Sequence, residues 1–174
     1  MTATTDFRAI ATSSSAPLRF RERAKARLGL ADVLVFRVGT ERFAVDLQAV
    51  EETLESIDVH SVPESSPSVI GVFAHGDQFI PLYDAAVVLG MMAPVDSCTA
   101  ALVMRGGGRR IGLAVADVED VVALELSTLR NIPERVWNDE LLLGLVMVSG
   151  LLIGLLDARA LLSACQTAPI PEAL

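Results

Sequence analysis

From residue 33 onward the apolar residues fall into short blocks of five or six, separated by turn-forming residues, and blocks of that length suit β-strands better than helices. The first five, at 33–38, 43–47, 50–54, 69–73 and 79–83, are rich in branched and aromatic side chains. Gly39-Thr40, Val62-Pro63, Ser66-Pro67 and His75-Gly76-Asp77 separate them. Proline cannot donate to a ladder and glycine frees the backbone for a turn. A second series follows at 99–104, 110–115, 118–123, 144–148 and 151–156, with turns at Gly106-Gly107-Gly108 and Ser149-Gly150. The pattern predicts two sets of five strands.

The two sets read as copies of one plan. Ile80-Pro81-Leu82-Tyr83-Asp84 returns as Ile153-Gly154-Leu155-Leu156-Asp157, and a glycine stands thirteen residues before each aspartate, Gly71 and Gly144. Leu34-Val35-Phe36-Arg37 through Arg42 to Val50-Glu51 matches Leu102-Val103-Met104-Arg105 through Arg110 to Val118-Glu119 at an offset of 68, against 73 for the later segment. Two units of about seventy residues in the same order, with a small insertion, build the body.

Each repeated aspartate stands directly before a short helix, 85–89 closed by Gly90 and 158–164. An aspartate there is a helix N-cap. The alternative, a pair of catalytic carboxylates, requires both to converge on one site, whereas these fall in separate units. Near the start, Ser15 and Pro17 open a predicted helix in which Phe20, Ala24 and Leu28 recur every fourth residue, with Gly29 to end it. This divides the chain into a disordered start at 1–14, a basic amphipathic helix at 15–30, a β domain at 32–165 with units at about 32–90 and 98–165, and a flexible tail at 166–174.

Charge divides along the same lines. The formal net charge of −8 over 174 residues combines residues 1–31, with six basic and two acidic side chains, and the remainder, with eight basic and twenty acidic. An acidic body argues against nucleic acid as a ligand and for a protein partner. The basic helix either docks on the acidic body or, through Arg19, Arg23 and Arg27, engages an acidic partner or membrane surface. A hydrophobic content of 52% supplies a real core. Cys98 and Cys165 have neither metal nor redox spacing and read as reduced cytoplasmic thiols; no signal peptide precedes the body. The uncharged run 141–156 is broken at Ser149-Gly150, which makes it a buried hairpin rather than a membrane span.

Catalytic chemistry finds no support in the motifs. Gly106-Gly107-Gly108 lacks the lysine-serine sequel of a phosphate loop. His60 and His75 have no ligand partners at metal spacing, and no serine or cysteine has a nucleophile-elbow pattern. Glu51-Glu52-Glu55 reads as an acidic strand surface facing solvent, and Trp137 as a partly buried packing residue. No enzyme, cofactor or metal site is expected.

Laid out in order, Val33-Leu34-Val35-Phe36-Arg37-Val38-Gly39, Glu41-Arg42-Phe43-Ala44-Val45, Val50-Glu51-Glu52, Val62-Pro63, Val69-Ile70-Gly71-Val72 and Ile80-Pro81-Leu82-Tyr83-Asp84 closely resemble the CheW-like chemotaxis coupling family. Arg110-Ile111-Gly112-Leu113-Ala114-Val115, Val118-Glu119-Asp120-Val121, Gly144 and Leu155-Leu156-Asp157 extend the resemblance to about residue 165. It implies a mainly β fold of two intertwined five-stranded SH3-like barrels, with units at about 32–90 and 98–165, around a shared hydrophobic core, with short helices after each barrel. It also implies a non-catalytic cytoplasmic scaffold, brought to membrane receptor arrays by its partners: the regulatory domain of a histidine kinase and the cytoplasmic tip of chemoreceptors. A receptor helical hairpin would lie in the groove between barrels, at Val50, Leu54, Val118 and Val122. The family usually has Asn-Leu-Arg-Gly where this chain has Ala74-His75-Gly76-Asp77, so Gly76 stands at the family arginine. Asp120 replaces a family glycine in the second unit. Glycine cannot make the directed contacts of arginine, which makes His75, Gly76 and Asp77 the place where partner binding departs from the family. A divergent module with one partner, or one serving surface motility, is the alternative reading, followed by a small-ligand binding protein.

Overall fold

The computed structural model describes residues 32–63, 65–91, 99–125, 128–132 and 139–167. The predicted basic helix with Arg19, Arg23 and Arg27, and also Cys98 and Trp137, lie outside the described residues.

Among the described residues, ten strands form two five-stranded sheets. The first half of the chain supplies β1 (Asp32–Val38), β2 (Glu41–Asp46), β3 (Val50–Glu55), β4 (Val69–His75) and β5 (Gln78–Asp84). The second half supplies β6 (Ala100–Gly106), β7 (Arg109–Val115), β8 (Asp117–Ala123), β9 (Leu142–Val148) and β10 (Leu151–Leu156). One sheet runs β8-β1-β2-β10-β9 and the other β3-β6-β7-β5-β4. Substituting each strand by its copy in the other half turns one order into the other.

Neither stretch, 32–90 or 98–165, closes on itself as a five-stranded unit. Each half gives its first two strands to one barrel and its last three to the other. The connections explain the exchange. A 3-10 turn at Leu47–Ala49, capped by the Asp46 carboxylate on the Gln48 N–H, follows β2. Ala116 alone separates β7 from β8, and neither link is a hairpin that could return the next strand beside the last. The chain passes into the other sheet, and β10 and β5 then join β2 and β7 in parallel.

The exchange accounts for the continuous apolar blocks. On β1, Leu34, Phe36 and Val38 face a central core shared by both barrels, while Val33 and Val35 face the interior of their own. On β6, Leu102 and Met104 face the shared core, and Ala101 and Val103 the other barrel interior. A strand buried on both faces has no polar side to alternate with.

Asp84 and Asp157 are caps. Asp84 Oδ1 accepts the Ala86 N–H at 2.9 Å and opens α1 (Ala85–Val88). Asp157 Oδ1 accepts the Arg159 N–H at 3.1 Å at the start of α2 (Ala158–Thr167). The second helix takes in the first two residues of the predicted tail, because Leu161, Leu162 and Cys165 are anchored in the shared core. Burial pushes the Cys165 thiol up to about 12, so it stays protonated. The run 141–156 is the antiparallel hairpin β9–β10. No described helix is long and apolar enough to cross a membrane.

Candidate functional site

Among the described residues four β-bulges break the register, and they come as two repeat-related pairs. On β3 the pairing passes from Val50 to Glu52 and on β8 from Val118 to Asp120, leaving Glu51 and Glu119 without opposite residues. On β4 and β9 it is Ile70 and Leu143 that are skipped. A bulge re-aims the residue it frees. Glu119 meets Arg42, with Nε to Oε2 at 2.9 Å, and Glu51 meets Arg110, with Nη2 to Oε1 at 2.6 Å. Arg42 and Arg110 are repeat equivalents, as are the two glutamates, so each half holds the bulge of the other.

The two ion pairs have unequal surroundings. Arg110 also donates to Gln78 Oε1 at 3.2 Å and to His75 Nδ1 at 2.8 Å, and Arg105 donates to Glu51 at 3.1 Å. Since Nδ1 accepts from a guanidinium, the other ring nitrogen carries the proton and donates to Glu52 Oε2 at 2.6 Å. The acidic strand faces solvent, as expected, and Glu51 and Glu52 are also held there by groups from β4, β6 and β7. Burial disfavours a charged Glu51, but hydrogen bonds and charge from Arg110 and Arg105 outweigh it and keep the carboxyl below its ordinary range.

This network anchors the β4–β5 hairpin, where Gly76 turns with φ at +63°. Asp77 is exposed beside it. Phe79, two residues past the turn, is 71% exposed. An aromatic ring held out from a fixed hairpin is suited to anchor a protein contact. Strand alternation located β5 but gave no sign of which side Phe79 faces.

A cleft of about 290 Å³ lies where the sheets meet, lined by Thr53 and Leu54 at the end of β3, Ala100 on β6, and Asp117 and Val118 on β8. A second of about 350 Å³ opens beside it under Ile57, Val59, Ile70 and Leu82. Leu54 and Val118 both line the first cleft. Val50 and Val122 do not line it: Val50 packs on the shared core and Val122 inside the barrel of β1 and β2. Leu54 packs against the interior of the other barrel and Val118 against the shared core, so both serve packing and surface. His75, Gly76 and Asp77 form a separate locus at the hairpin. Among the described residues there is no cluster of three or more His, Cys, Asp or Glu able to hold a metal.

Residues 32–166 match the family model described as the CheW-like domain. The chain is 26% identical over 140 residues to "Chemotaxis protein CheW" of Klebsiella aerogenes, covering 79% of this chain and 84% of that protein. It is 25% identical over 141 residues to "Probable chemotaxis protein CheW" of Rhizobium etli, covering 78% and 90%. The crystal structure of the scaffolding protein TtCheW from Thermoanaerobacter tengcongensis has the same fold, with a TM-score of 0.66 at 18% identity over 72% of this chain and 88% of that one. With the family match spanning most of the chain, and with the mainly β two-sheet architecture in agreement, this protein belongs to the CheW-like domain family.

Proposed function

We propose that the protein is a non-catalytic adaptor of a chemosensory signalling system, joining the regulatory domain of a histidine kinase to the cytoplasmic tip of a chemoreceptor. It would work in the cytoplasm, at membrane receptor arrays, held there by its partners. Family membership and the names of the relatives support this reading. The observation that carries it is the cleft at the junction of the barrels, where Leu54 and Val118 come from different sheets and present an apolar floor between exposed Thr53, Glu55 and Asp117. A cleft of that size suits one or two side chains of a docked helix.

The test is copurification of the full chain with a kinase regulatory domain and with a receptor-tip fragment, separately and together. The wild type should bind both. Thr53→Arg and Glu55→Arg, at the exposed rim, should weaken the receptor fragment about tenfold and leave the kinase fragment unchanged. Failure to bind either fragment removes the adaptor reading.

Gly76 favours a second reading, in which the module serves one partner or a surface-motility pathway. Binding of one fragment only by the wild type, with the other recovered on Gly76→Arg, would establish it.

A further inference from the structure

We propose that His75 is a proton-sensitive latch: as a neutral ring it ties the tip of the β4–β5 hairpin to both β3 and β7, and on protonation it lets go of β7 while staying bound to β3, so that the hairpin and its exposed Phe79 take a second pose. The latch sits at one end of a barrel. Phe73, Ile80 and Val103 face that barrel's interior, and so does the position of Gly112, where a Cβ would meet Phe73 and Leu82. Side chains alternate along a strand, so His75, Gln78, Arg105 and Arg110, each two residues further out, lie on the same inner face. Glu52 stands in the same relation to Leu54 on β3. Since β3 and β4 are the two edges of this sheet, the His75–Glu52 contact closes the barrel between them.

Histidine is the residue type in this cluster whose charge changes near neutrality, between about pH 5 and 8. Carboxylates ordinarily titrate at about pH 4, and a guanidinium stays charged. The groups facing the ring are Glu51 and Glu52 from β3, Arg105 from β6, Arg110 from β7 and Gln78 from β5, with exposed Asp77 in the turn. Two carboxylates balance the two guanidiniums while the ring is neutral. In that state Nδ1 accepts from Arg110 Nη2 at 2.8 Å and Nε2 donates to Glu52 Oε2 at 2.6 Å. A proton taken from water onto Nδ1 occupies the lone pair that Arg110 uses and sets one cation against another. Arg110 has other acceptors, Glu51 Oε1 at 2.6 Å and Gln78 Oε1 at 3.2 Å, whereas the charged ring is drawn more strongly to Glu52. The contact with β7 is therefore the one that breaks. His75 pairs with Gln78 and Ala74 with Phe79 across the hairpin, so a shift at this strand end passes directly to a ring that is 71% exposed. The repeat-equivalent hairpin has Val148 for His75 and Leu151 for Gln78, and cannot respond. His60, the other histidine of the chain, has Asp58 at 3.9 Å and no part in these contacts.

Residual dipolar couplings of the full chain, measured from about pH 8 to about pH 5.5 across the imidazole range, test the latch, because they report bond orientation rather than the charge of a nearby ring. Couplings from the middle of β6 and β7 fix the frame and show that the body remains folded. In the wild type the N–H couplings of Gly76, Asp77, Gln78 and Phe79 should shift, with the same midpoint as the ring nitrogens of His75, while those of Gly150, Leu151 and Leu152 stay constant. His75→Gln, whose amide can accept from Arg110 and donate to Glu52 without titrating, should keep the alkaline couplings throughout. Arg110→Gln should show the acid couplings of the wild type already at the alkaline end. Hairpin couplings that stay fixed in the wild type would overturn the proposal, as would a His75 ring still neutral at the acid end. A shift that persists in His75→Gln would overturn it too, since another group would then be responsible. None of these outcomes depends on the protein being an adaptor.

Discussion

The barrel containing β1 and β2 and the barrel containing β6 and β7 are built on the same bulged frame, yet they are finished differently at equivalent points. At the bulge of β9, Leu143 is 1% exposed and packs with Leu129, itself 1% exposed, from the long connection before it. At the bulge of β4, Ile70 is 37% exposed, and Val59, which stands just before the bridging His60 as Leu129 stands before Arg130, is only partly buried beside an open cleft. At the hairpins the contrast reverses. The β4–β5 turn is tied down through His75 by Arg110 and Glu52, whereas Val148, the equivalent of His75 at the end of β9, has no side chain that could hydrogen-bond. One barrel has used its copy of the plan to complete a core; the other keeps surface open and holds a hairpin in a fixed pose. In a duplicated fold the copies are free to diverge this way because the central core, to which both contribute, carries much of the packing.

The largest test of this contrast is at Leu129. Leu129→Ala removes a filled position in a closed interior and should cost about 2–4 kcal/mol, while Val59→Ala, at the open end of the other barrel, should cost about 1 kcal/mol or less. Urea unfolding of both variants with a common slope checks it. Equal costs would mean that the two interiors are packed alike.

A smaller difference should separate the two bulge-holding arginines. Among the described residues Arg110 hydrogen-bonds to Glu51, Gln78 and His75 and Arg42 to Glu119, so Arg110→Ala should lower the melting temperature more than Arg42→Ala. The pH dependence follows from the sign of the Glu51 shift. Its folded carboxyl lies below the usual value of 4.5, so its stabilisation is present above that pH and is lost as pH falls through it toward the folded value. The gap in melting temperature between wild type and Glu51→Gln should therefore be constant near neutrality and close under acid conditions. A gap that persists unchanged at pH 3 would contradict the assigned network.

The strands were legible because their signal is local. The blocks at 33–38 and 151–156 lie within a residue of β1 and β10, and the capping roles of Asp84 and Asp157 followed from their position before short helices. The intertwining of the barrels came only with the family resemblance, since it depends on pairings such as Phe43 with Gly154, more than a hundred residues apart, which leave no periodicity. Leu129 sits in a mixed connection with no pattern, so its burial was equally silent. Glu51 is exposed, as its acidic strand implies, but its ion pair with Arg110 comes from a bulge that no local pattern announces. A signal was present even there: Arg42 with Glu119 and Arg110 with Glu51 pair across copies that share one offset.

The smallest structural effect is expected where the sequence departs most from its family. Gly76 adopts φ of +63°, and nothing lies within 4 Å of where its Cβ would stand, so a side chain there meets backbone preference rather than a clash. Left-handed backbone costs an ordinary residue about 1–2 kcal/mol. The other hairpin shows that this frame carries such a cost, because Ser149, the repeat equivalent of Gly76, adopts φ of +50° with its side chain in place. Gly76→Arg should therefore destabilise by about 1 kcal/mol, and Ser149→Gly should change stability by less than about 1 kcal/mol because relief of strain is offset by a more flexible unfolded chain. If thermal unfolding bears out both values, glycine at 76 is not required by the fold, and its presence in place of arginine must be explained at the surface it presents, beside Phe79 and the His75 network. If Gly76→Arg instead unfolds the hairpin, the glycine belongs to the frame, and the departure from the family carries no information about partners.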